Sequence, residues 1–444
     1  MAYSQIKGRK PFERASKIAH TNILNNPDVR EFVEACTLPS APEGSQLEAL
    51  QKPLPSSDKR IEHVIAVDGG MTEVSVRKEF PTASMAFLTF GPLTLTLADL
   101  KELDFQPFIA PEDMARLKNL QRYSLPLPAK AIRAAGAASF SEGVRRQIQR
   151  FMAEKHPELI RTLQWLLFRE WLPESQRRVW EVPRCPACSQ TMIRFESSGP
   201  VEVACKECGG VVFLSDSLRL YERIDDEQGA GGIMAYLLTT LEQLVIVNII
   251  RQLLELKPSI LREILLIKDG PLAFFGVVAP LHQPMRELME HLSTRDNGKP
   301  LICLIGLEKS GAFVEHAALI ESSLKKGYYL LPDTDYIYKY IQPGNPSREG
   351  FGHNTYYGAK LIFKSERGDV FVATIPTRSF QAKPKFEDLL NGAEVVHVTS
   401  QLRCSMYDNA LIPVVLANRL VSLADVPSSE ILKRFVKTAV ARAD

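Results

Sequence analysis

The sequence predicts an α/β fold in which helices flank a mixed sheet, together with a helical N-terminal extension and a small cysteine-rich insertion. Two apolar runs, Val64–Val67 and Ile264–Ile267, are each followed within two residues by an Asp-Gly pair, a pattern typical of buried strands that end in a turn. Between them, the stretch Gly232–Leu256 is apolar on nearly every side, which predicts a buried helix. Strands and helices that follow one another in this way are typical of α/β proteins.

The composition is that of an ordinary globular protein. The 444 residues allow two or three domains, with 45% hydrophobic and 24% charged residues. The net charge of +2 excludes a globally basic nucleic-acid-binding protein, so any such surface must be local. No apolar segment of a secretory signal follows the basic N-terminus, and Glu242, Gln243 and Asn248 interrupt the longest apolar run. We therefore expect a cytoplasmic protein with no membrane span.

Residues 1–60 predict the helical extension and a linker. Asn26 is a suitable N-cap for a helix that begins at Pro27 and ends at Ala35. Prolines and polar residues dominate the stretch that follows this helix, which indicates an exposed loop.

The composition changes at Ile61, where the α/β domain is expected to begin. Short apolar segments after Asp68 predict an antiparallel meander. Its strands are Met71–Lys78, Ala83–Phe90 and Leu93–Leu97. Further elements are predicted over residues 129–154, 157–171 and 285–292 (helices), 263–268 and 301–307 (strands), 356–364 with 370–375 (a hairpin) and 411–424 (a closing helix). The predicted units are the extension (1–60), a first part of the α/β domain (61–180), the cysteine-rich insertion (181–215), a second part of the domain (216–425) and a basic C-terminal helix (426–444).

Four of the seven cysteines form two Cys-x2-Cys pairs. Cys185 and Cys188 make the first pair, and Cys205 and Cys208 make the second. Short predicted strands lie between the pairs, so the cysteines fall at the tips of adjacent hairpins. Zinc prefers four thiolates in a tetrahedron, and this spacing supplies them. The sequence predicts a zinc ribbon that stabilises a small insertion, while a contact with nucleic acid or protein is the alternative.

Three carboxylates are candidates for a second metal site. Asp68 and Asp269 follow two apolar strands, and side by side at a sheet edge they would suit Mg²⁺ or Mn²⁺. Glu242 lies within the apolar surface of the long helix, where a carboxylate needs a cation or a donor. It is either a third metal ligand or the partner of a buried arginine. Lys309 follows a strand and either meets a phosphate or is an exposed loop lysine.

The three acids are expected on the first strand, on the helix before the fourth strand and on the fourth strand. This is the order found in the RNase H-like fold. The segments Ala66–Gly70, Leu266–Leu272 and Ile305–Ser310 resemble those of the NurA nuclease family. The resemblance extends from about residue 61 to residue 424 and is interrupted by the cysteine-rich insertion.

The resemblance implies an RNase H-like, metal-dependent deoxyribonuclease. By this likeness Asp68 and Asp269 are ligands of Mn²⁺ or Mg²⁺, and Glu242 is the helix carboxylate, with Glu255 as the alternative. Tyr407 corresponds to a tyrosine of the family, whereas Asn418 stands where the family has a histidine. Gly70 replaces a serine that is frequent in the family.

The resemblance also implies partners. Members of the family are two-fold dimers that dock on the hexameric HerA ATPase, which feeds DNA to the nuclease. They act in DNA end processing and repair, and bacterial relatives act in defence against phages. A near-neutral net charge agrees with this arrangement, because the nuclease does not have to capture DNA alone.

Two other functions are compatible with parts of the sequence. The replacement at Asn418 agrees with a non-catalytic RNase H-like scaffold that serves the ATPase. A strand that ends in Asp-Gly also opens the actin-like ATPases and sugar kinases, although no glycine-rich adenosine motif follows near the C-terminus. Titration with divalent metal separates the three functions, because only the nuclease needs metal at both aspartates to cut DNA.

Overall fold

The structure is a computed structural model that describes residues 23, 25–36, 39–57, 61–76, 82–98, 122–295, 298–344, 349–403 and 411–421. The strands are β1 (Lys52–Pro53), β2 (His63–Ser75), β3 (Ser84–Thr96), β4 (Tyr123–Lys130), β5 (Trp180–Val182), β6 (Ile193–Phe195), β7 (Glu202–Ala204), β8 (Val211–Phe213), β9 (Ile264–Asp269), β10 (Cys303–Glu308), β11 (Tyr328–Leu330), β12 (Gly358–Lys364) and β13 (Val370–Pro376). The helices are α1 (Pro27–Ala35), α2 (Gly44–Leu50), α3 (Phe140–Arg150), α4 (Pro157–Phe168), α5 (Met234–Leu256), α6 (His282–Thr294), α7 (Ala312–Ile320), α8 (Thr334–Tyr340), α9 (Gly392–Gln401) and α10 (Ile412–Val421).

Among the described residues, nine strands form one mixed sheet in the order β1-β11-β12-β13-β10-β9-β2-β3-β4. The strands β2, β3 and β4 are an antiparallel meander, and β9 and β10 continue the sheet parallel to β2. The unit β4-β3-β2-β9-β10 therefore has the RNase H-like arrangement, in which the first and fourth strands are parallel neighbours. The predicted fold class is confirmed by this strand order.

The strand β2 is longer than predicted. A turn was expected directly after Asp68, with a separate strand from Met71, but β2 continues through Gly69 and Gly70 to Ser75. The prediction was wrong because β3 pairs with β2 along its whole length, from His63 to Ser75. The two strands predicted on either side of Gly91 and Pro92 are likewise the single strand β3.

The strand β4 was missed, and the helix predicted over residues 129–154 begins later than expected. Residues up to Lys130 belong to β4, and α3 begins at Phe140 with Ser139 as its N-cap. Pro126 and Pro128 concealed the strand, because proline lacks the N–H that a central strand donates. β4 is the last strand of the sheet, where that missing donor is tolerated.

Helices cover both faces of the sheet. α5 packs on one face with α3, α4 and α6, in a core that includes Val67. α9 and α10 pack on the other face, in a second core that includes Ala66. By length and composition the segment Gly231–Leu256 could cross a membrane, but 78% of its most apolar window is buried inside the protein. Its apolar surface is therefore covered by the rest of the fold, as predicted for a core helix.

The helix predicted at the N-terminus and the hairpins predicted in the insertion are confirmed, but the exposed loop predicted after that helix is wrong. Part of that stretch forms α2, whose Leu47 is buried, and β1 pairs with β11 in the sheet. α1 begins at Pro27, and the side chain of Asn26 accepts a hydrogen bond of 2.9 Å from the backbone N–H of Asp28. β5 pairs with β6 and β7 pairs with β8, so the insertion consists of two hairpins. Each hairpin carries one pair of cysteines at its tip.

Candidate metal-binding sites

Asp68 and Asp269 lie next to each other at one edge of the sheet. The parallel register of β2 and β9 ends at the pair Val67 and Lys268, so the two aspartates come one residue later on neighbouring strands. The predicted turn after β9 is present, since Gly270 has a φ of +91°, which favours glycine. The sheet therefore brings together the two carboxylates that the sequence predicted.

Asp68 is buried, and among the described residues only one of its two carboxylate oxygens accepts a hydrogen bond. Its Oδ1 accepts a bond of 2.7 Å from the backbone N–H of Gly69, while Oδ2 is buried and has no hydrogen-bond partner among the described residues. The side chain of Asp269 is partly exposed, and its Oδ2 accepts a bond of 2.8 Å from Nζ of Lys309. A buried carboxylate oxygen without a donor is costly, and a hard cation is the kind of ligand that it suits.

Burial raises the pKa of Asp68 from 3.8 to about 6, and the neighbouring charge of Asp269 adds to this effect. The ammonium of Lys309 lowers the same pKa, as do hydrogen bonds from Asn418 and Gly69. The protein thus supplies less positive charge than this carboxylate needs. A divalent cation between the two aspartates would supply the rest.

Asn418 is in contact with the site. It lies on α10, and its side-chain amide lowers the pKa of the Asp68 carboxyl. An uncharged amide therefore stands beside the buried aspartate, at the position where the resemblance leads one to expect a histidine. Tyr407 and the basic helix predicted over residues 426–444 lie outside the described residues.

Glu242 lies on the opposite face of the sheet from the two aspartates. Side chains alternate along a strand, so Lys268 points toward α5, whereas Asp269 points toward the face that α10 covers. Oε2 of Glu242 is 3.2 Å from Nζ of Lys268, and the two side chains are 5% and 2% exposed. Burial raises the pKa of Glu242 to about 7, an effect that Lys268 opposes.

Lys268 is the residue that sequence reasoning missed. The sequence predicted a metal or a buried arginine beside Glu242, whereas the partner is a lysine. A signal was present, because Lys268 is a charged residue that directly follows the apolar run Ile264–Ile267. The alternative helix carboxylate, Glu255, is 57% exposed and pairs with Arg251 at 3.3 Å.

The four cysteines of the insertion form a compact group. Their Sγ atoms all lie within 4.8 Å of one another. In the described part of the chain, no other group of three or more Cys, His, Asp or Glu side chains brings its ligand atoms so close together. Backbone N–H groups lie 3.4 Å from the Sγ atoms of Cys185 and Cys208. Hydrogen bonds, above all from the backbone of Cys208, lower the pKa of Cys205 to about 7, which favours its thiolate.

Four thiolates fit a tetrahedral zinc ion and leave no ligand position open, as in structural zinc sites. Cys185 and Cys205 are buried in the same core as α4 and α5. Nη2 of Arg145 on α3 donates a hydrogen bond of 2.9 Å to the backbone carbonyl of Val211 in β8. The insertion is therefore anchored to the domain on one side, which agrees with a stabilising role.

The fold and the sites define an RNase H-like α/β protein with paired carboxylates at a sheet edge and a separate four-thiolate site. No protein-family model matches the chain, and no curated protein matches its sequence. Solved structures of NurA nucleases match it over nearly the whole length. The NurA nuclease from Sulfolobus solfataricus is 9% identical, with a TM-score of 0.35 and coverage of 97% of this chain and 98% of that chain.

Two further NurA structures also match nearly the whole chain at low sequence identity. NurA with manganese is 13% identical with a TM-score of 0.28, and NurA bound to dAMP and manganese is 14% identical with a TM-score of 0.26. They cover 96% and 95% of this chain, and 97% and 96% of their own. This is the family that the sequence resembles. The strand order of the sheet by itself establishes the fold class.

Proposed function

We propose that this protein is a metal-dependent deoxyribonuclease in which Asp68 and Asp269 hold Mn²⁺ or Mg²⁺. The observation that carries the proposal is the pairing of these two carboxylates on parallel neighbouring strands, one of them buried with an oxygen that no described residue hydrogen-bonds. Two oxygen ligands at an open sheet edge leave room for the oxygens of a phosphodiester. A cation bound there would act as a Lewis acid on the phosphate and on the attacking water.

The surrounding residues prepare this site. The backbone N–H of Gly69 fixes one oxygen of Asp68, so its other oxygen is oriented. Lys309 balances the charge of Asp269 in the absence of metal, through the contact of 2.8 Å. With a cation held by the two aspartates, the ammonium of Lys309 would be free to donate to a non-bridging oxygen of the DNA backbone.

The resemblance to the NurA family also suggests partners and a cellular role. We propose that the protein acts as a homodimer with a HerA-type hexameric ATPase, in DNA end processing or in defence against phages. The net charge of +2 supports this division of labour, since a motor that delivers DNA replaces strong attraction by the nuclease itself. The four cysteines hold a structural Zn²⁺, and the protein is cytoplasmic.

The test is cleavage of end-labelled linear DNA in Mn²⁺, with and without the candidate ATPase. Asp68→Ala and Asp269→Ala are each expected to abolish cleavage, because each removes a ligand oxygen. Asp335→Ala is the matched control, since Asp335 is 58% exposed and forms a surface ion pair with Lys383, away from the two aspartates. Cleavage that persists in both site variants would refute this site.

A non-catalytic scaffold is the second candidate, and two observations favour it. A neutral amide stands beside Asp68, and Glu242 is already neutralised by Lys268. A scaffold would bind the ATPase equally well when both aspartates are replaced, and the wild type would not cut DNA even with the ATPase present. Pull-down of the ATPase by the double aspartate variant, run beside the cleavage assay, distinguishes the two functions.

A further inference from the structure

The ion pair of Glu242 and Lys268 lies directly beneath the two segments that carry the aspartates. Oε1 of Glu242 is 2.8 Å from the position that a Cβ on Gly69 would occupy, so the glutamate packs against the backbone next to Asp68. Nζ of Lys268 donates to the backbone carbonyl of Asp269. The pair therefore touches both acid-bearing strands from the face opposite to their carboxylates.

The position of the ammonium decides what Glu242 can bind. Oε2 of Glu242 is in contact with Nζ of Lys268, and both side chains are almost fully buried. Oε1 faces the backbone of Gly69 and the side chain of Leu238 rather than an open space. A cation that used this glutamate would have to displace a buried ammonium and leave it without its partner, which is strongly unfavourable.

We infer that Glu242 and Lys268 form an internal strut that fixes the spacing of Asp68 and Asp269, and that the site between the aspartates takes a single divalent cation. Lys268 thus stands in for a second metal ion, and Glu242 is a positioning residue rather than a ligand. The count of one cation depends on the proposed function, whereas the strut depends only on the contacts within this chain.

The first experiment counts bound Mn²⁺ by electron paramagnetic resonance on zinc-loaded full-length protein. The wild type is expected to bind one Mn²⁺, and Asp68→Asn is expected to weaken that binding by at least about 100-fold. Glu242→Gln is expected to retain one Mn²⁺, with an affinity lowered by about 10-fold, as for a residue that orients ligands. Two Mn²⁺ ions in the wild type, or loss of binding in Glu242→Gln as complete as in Asp68→Asn, would overturn the inference.

The second experiment tests the strut by thermal unfolding without Mn²⁺. Glu242→Gln and Lys268→Met should each lower Tm by about 5 °C, because each leaves one buried partner unpaired. The double variant should be more stable than Lys268→Met alone, because it buries no unpaired charge. Glu255→Gln is the control on the same helix, and its half-exposed pair with Arg251 should shift Tm by less than about 2 °C.

The two experiments separate the inference from the proposed function. A wild type that binds no Mn²⁺ refutes the proposed function and the single-cation site together. The comparison of single and double variants still decides the strut in that case. Strictly additive effects of Glu242→Gln and Lys268→Met on Tm would show that the two side chains do not act as a pair.

Discussion

Replacing Asp68 by asparagine should abolish cleavage and at the same time stabilise the Mn²⁺-free protein. Burial and the charge of Asp269 raise the pKa of Asp68 from 3.8 to about 6. A rise of roughly two pH units corresponds to about 3 kcal/mol between the folded and unfolded states. Asparagine removes the charge but buries an amide that needs a partner, so we expect a net gain of about 1–2 kcal/mol at pH 7.5.

The dependence on pH follows from the direction of the shift. Because the pKa is raised on folding, this group favours the folded state below about pH 4, and the advantage is lost as the pH rises through about 6. The stabilisation by Asp68→Asn should therefore be largest at pH 7.5 and should nearly disappear at pH 4.5. Binding of Mn²⁺ should weaken below about pH 6, since the protonated carboxyl is a poor ligand.

The assay is urea unfolding of wild type and variant at both pH values, in buffer free of Mn²⁺ and Mg²⁺. No chelator is added, because it would also remove zinc from the cysteine site. Mn²⁺ at 100 times its dissociation constant should then stabilise the wild type by about 2.7 kcal/mol and leave the variant unchanged. A variant that is less stable than the wild type at pH 7.5, or whose stabilisation is equal at both pH values, would refute the reasoning.

Three further predictions concern the surrounding structure. Cys208→Ser should release zinc, measured with a colorimetric chelator, and should lower Tm because only three thiolates remain. The control is Cys36→Ser, at an exposed cysteine that does not belong to the four-cysteine group, and it should retain zinc. Gly69→Ala should destabilise the protein by about 1–3 kcal/mol in urea unfolding, because its Cβ would lie 2.7 Å from Leu238 and 2.8 Å from Glu242, whereas Gly44→Ala meets nothing within 4 Å. Lys309→Met should lower the rate of DNA cleavage by about 10-fold or more while retaining Mn²⁺ binding; unchanged cleavage would mean that Lys309 is only a counter-ion of Asp269.

The elements with strong local signals were predictable from the sequence. The cap at Asn26 and the proline at the first position of α1 act within one helical turn, so no tertiary contact decides them. The paired cysteines define their own hairpins in the same way. The helix α5 was predictable because an apolar surface on every side requires burial.

The missed features depend on contacts between distant segments. Glycines at residues 69 and 70 indicate a turn by local preference, and only the long pairing with β3 keeps them in a strand. The prolines of β4 are tolerated because β4 is the last strand on that side of the sheet in the described part of the chain. Lys268 could be recognised as charged and misplaced in an apolar run, but its pairing with Glu242 depends on how α5 crosses the sheet.

The unexpected length of β2 accounts for the difference between the two aspartates. β9 ends at Asp269, so that carboxylate lies at an open edge beside Lys309 and is partly exposed. β2 continues beyond Asp68, with β3 beside it and α10 packed against it, so the carboxylate of Asp68 is enclosed. A cation should therefore enter past Asp269 and Lys309 and come to rest against the unpaired oxygen of Asp68. In the proposed nuclease, the enclosed Asp68 would then hold the ion, and the exposed Asp269 would face the substrate.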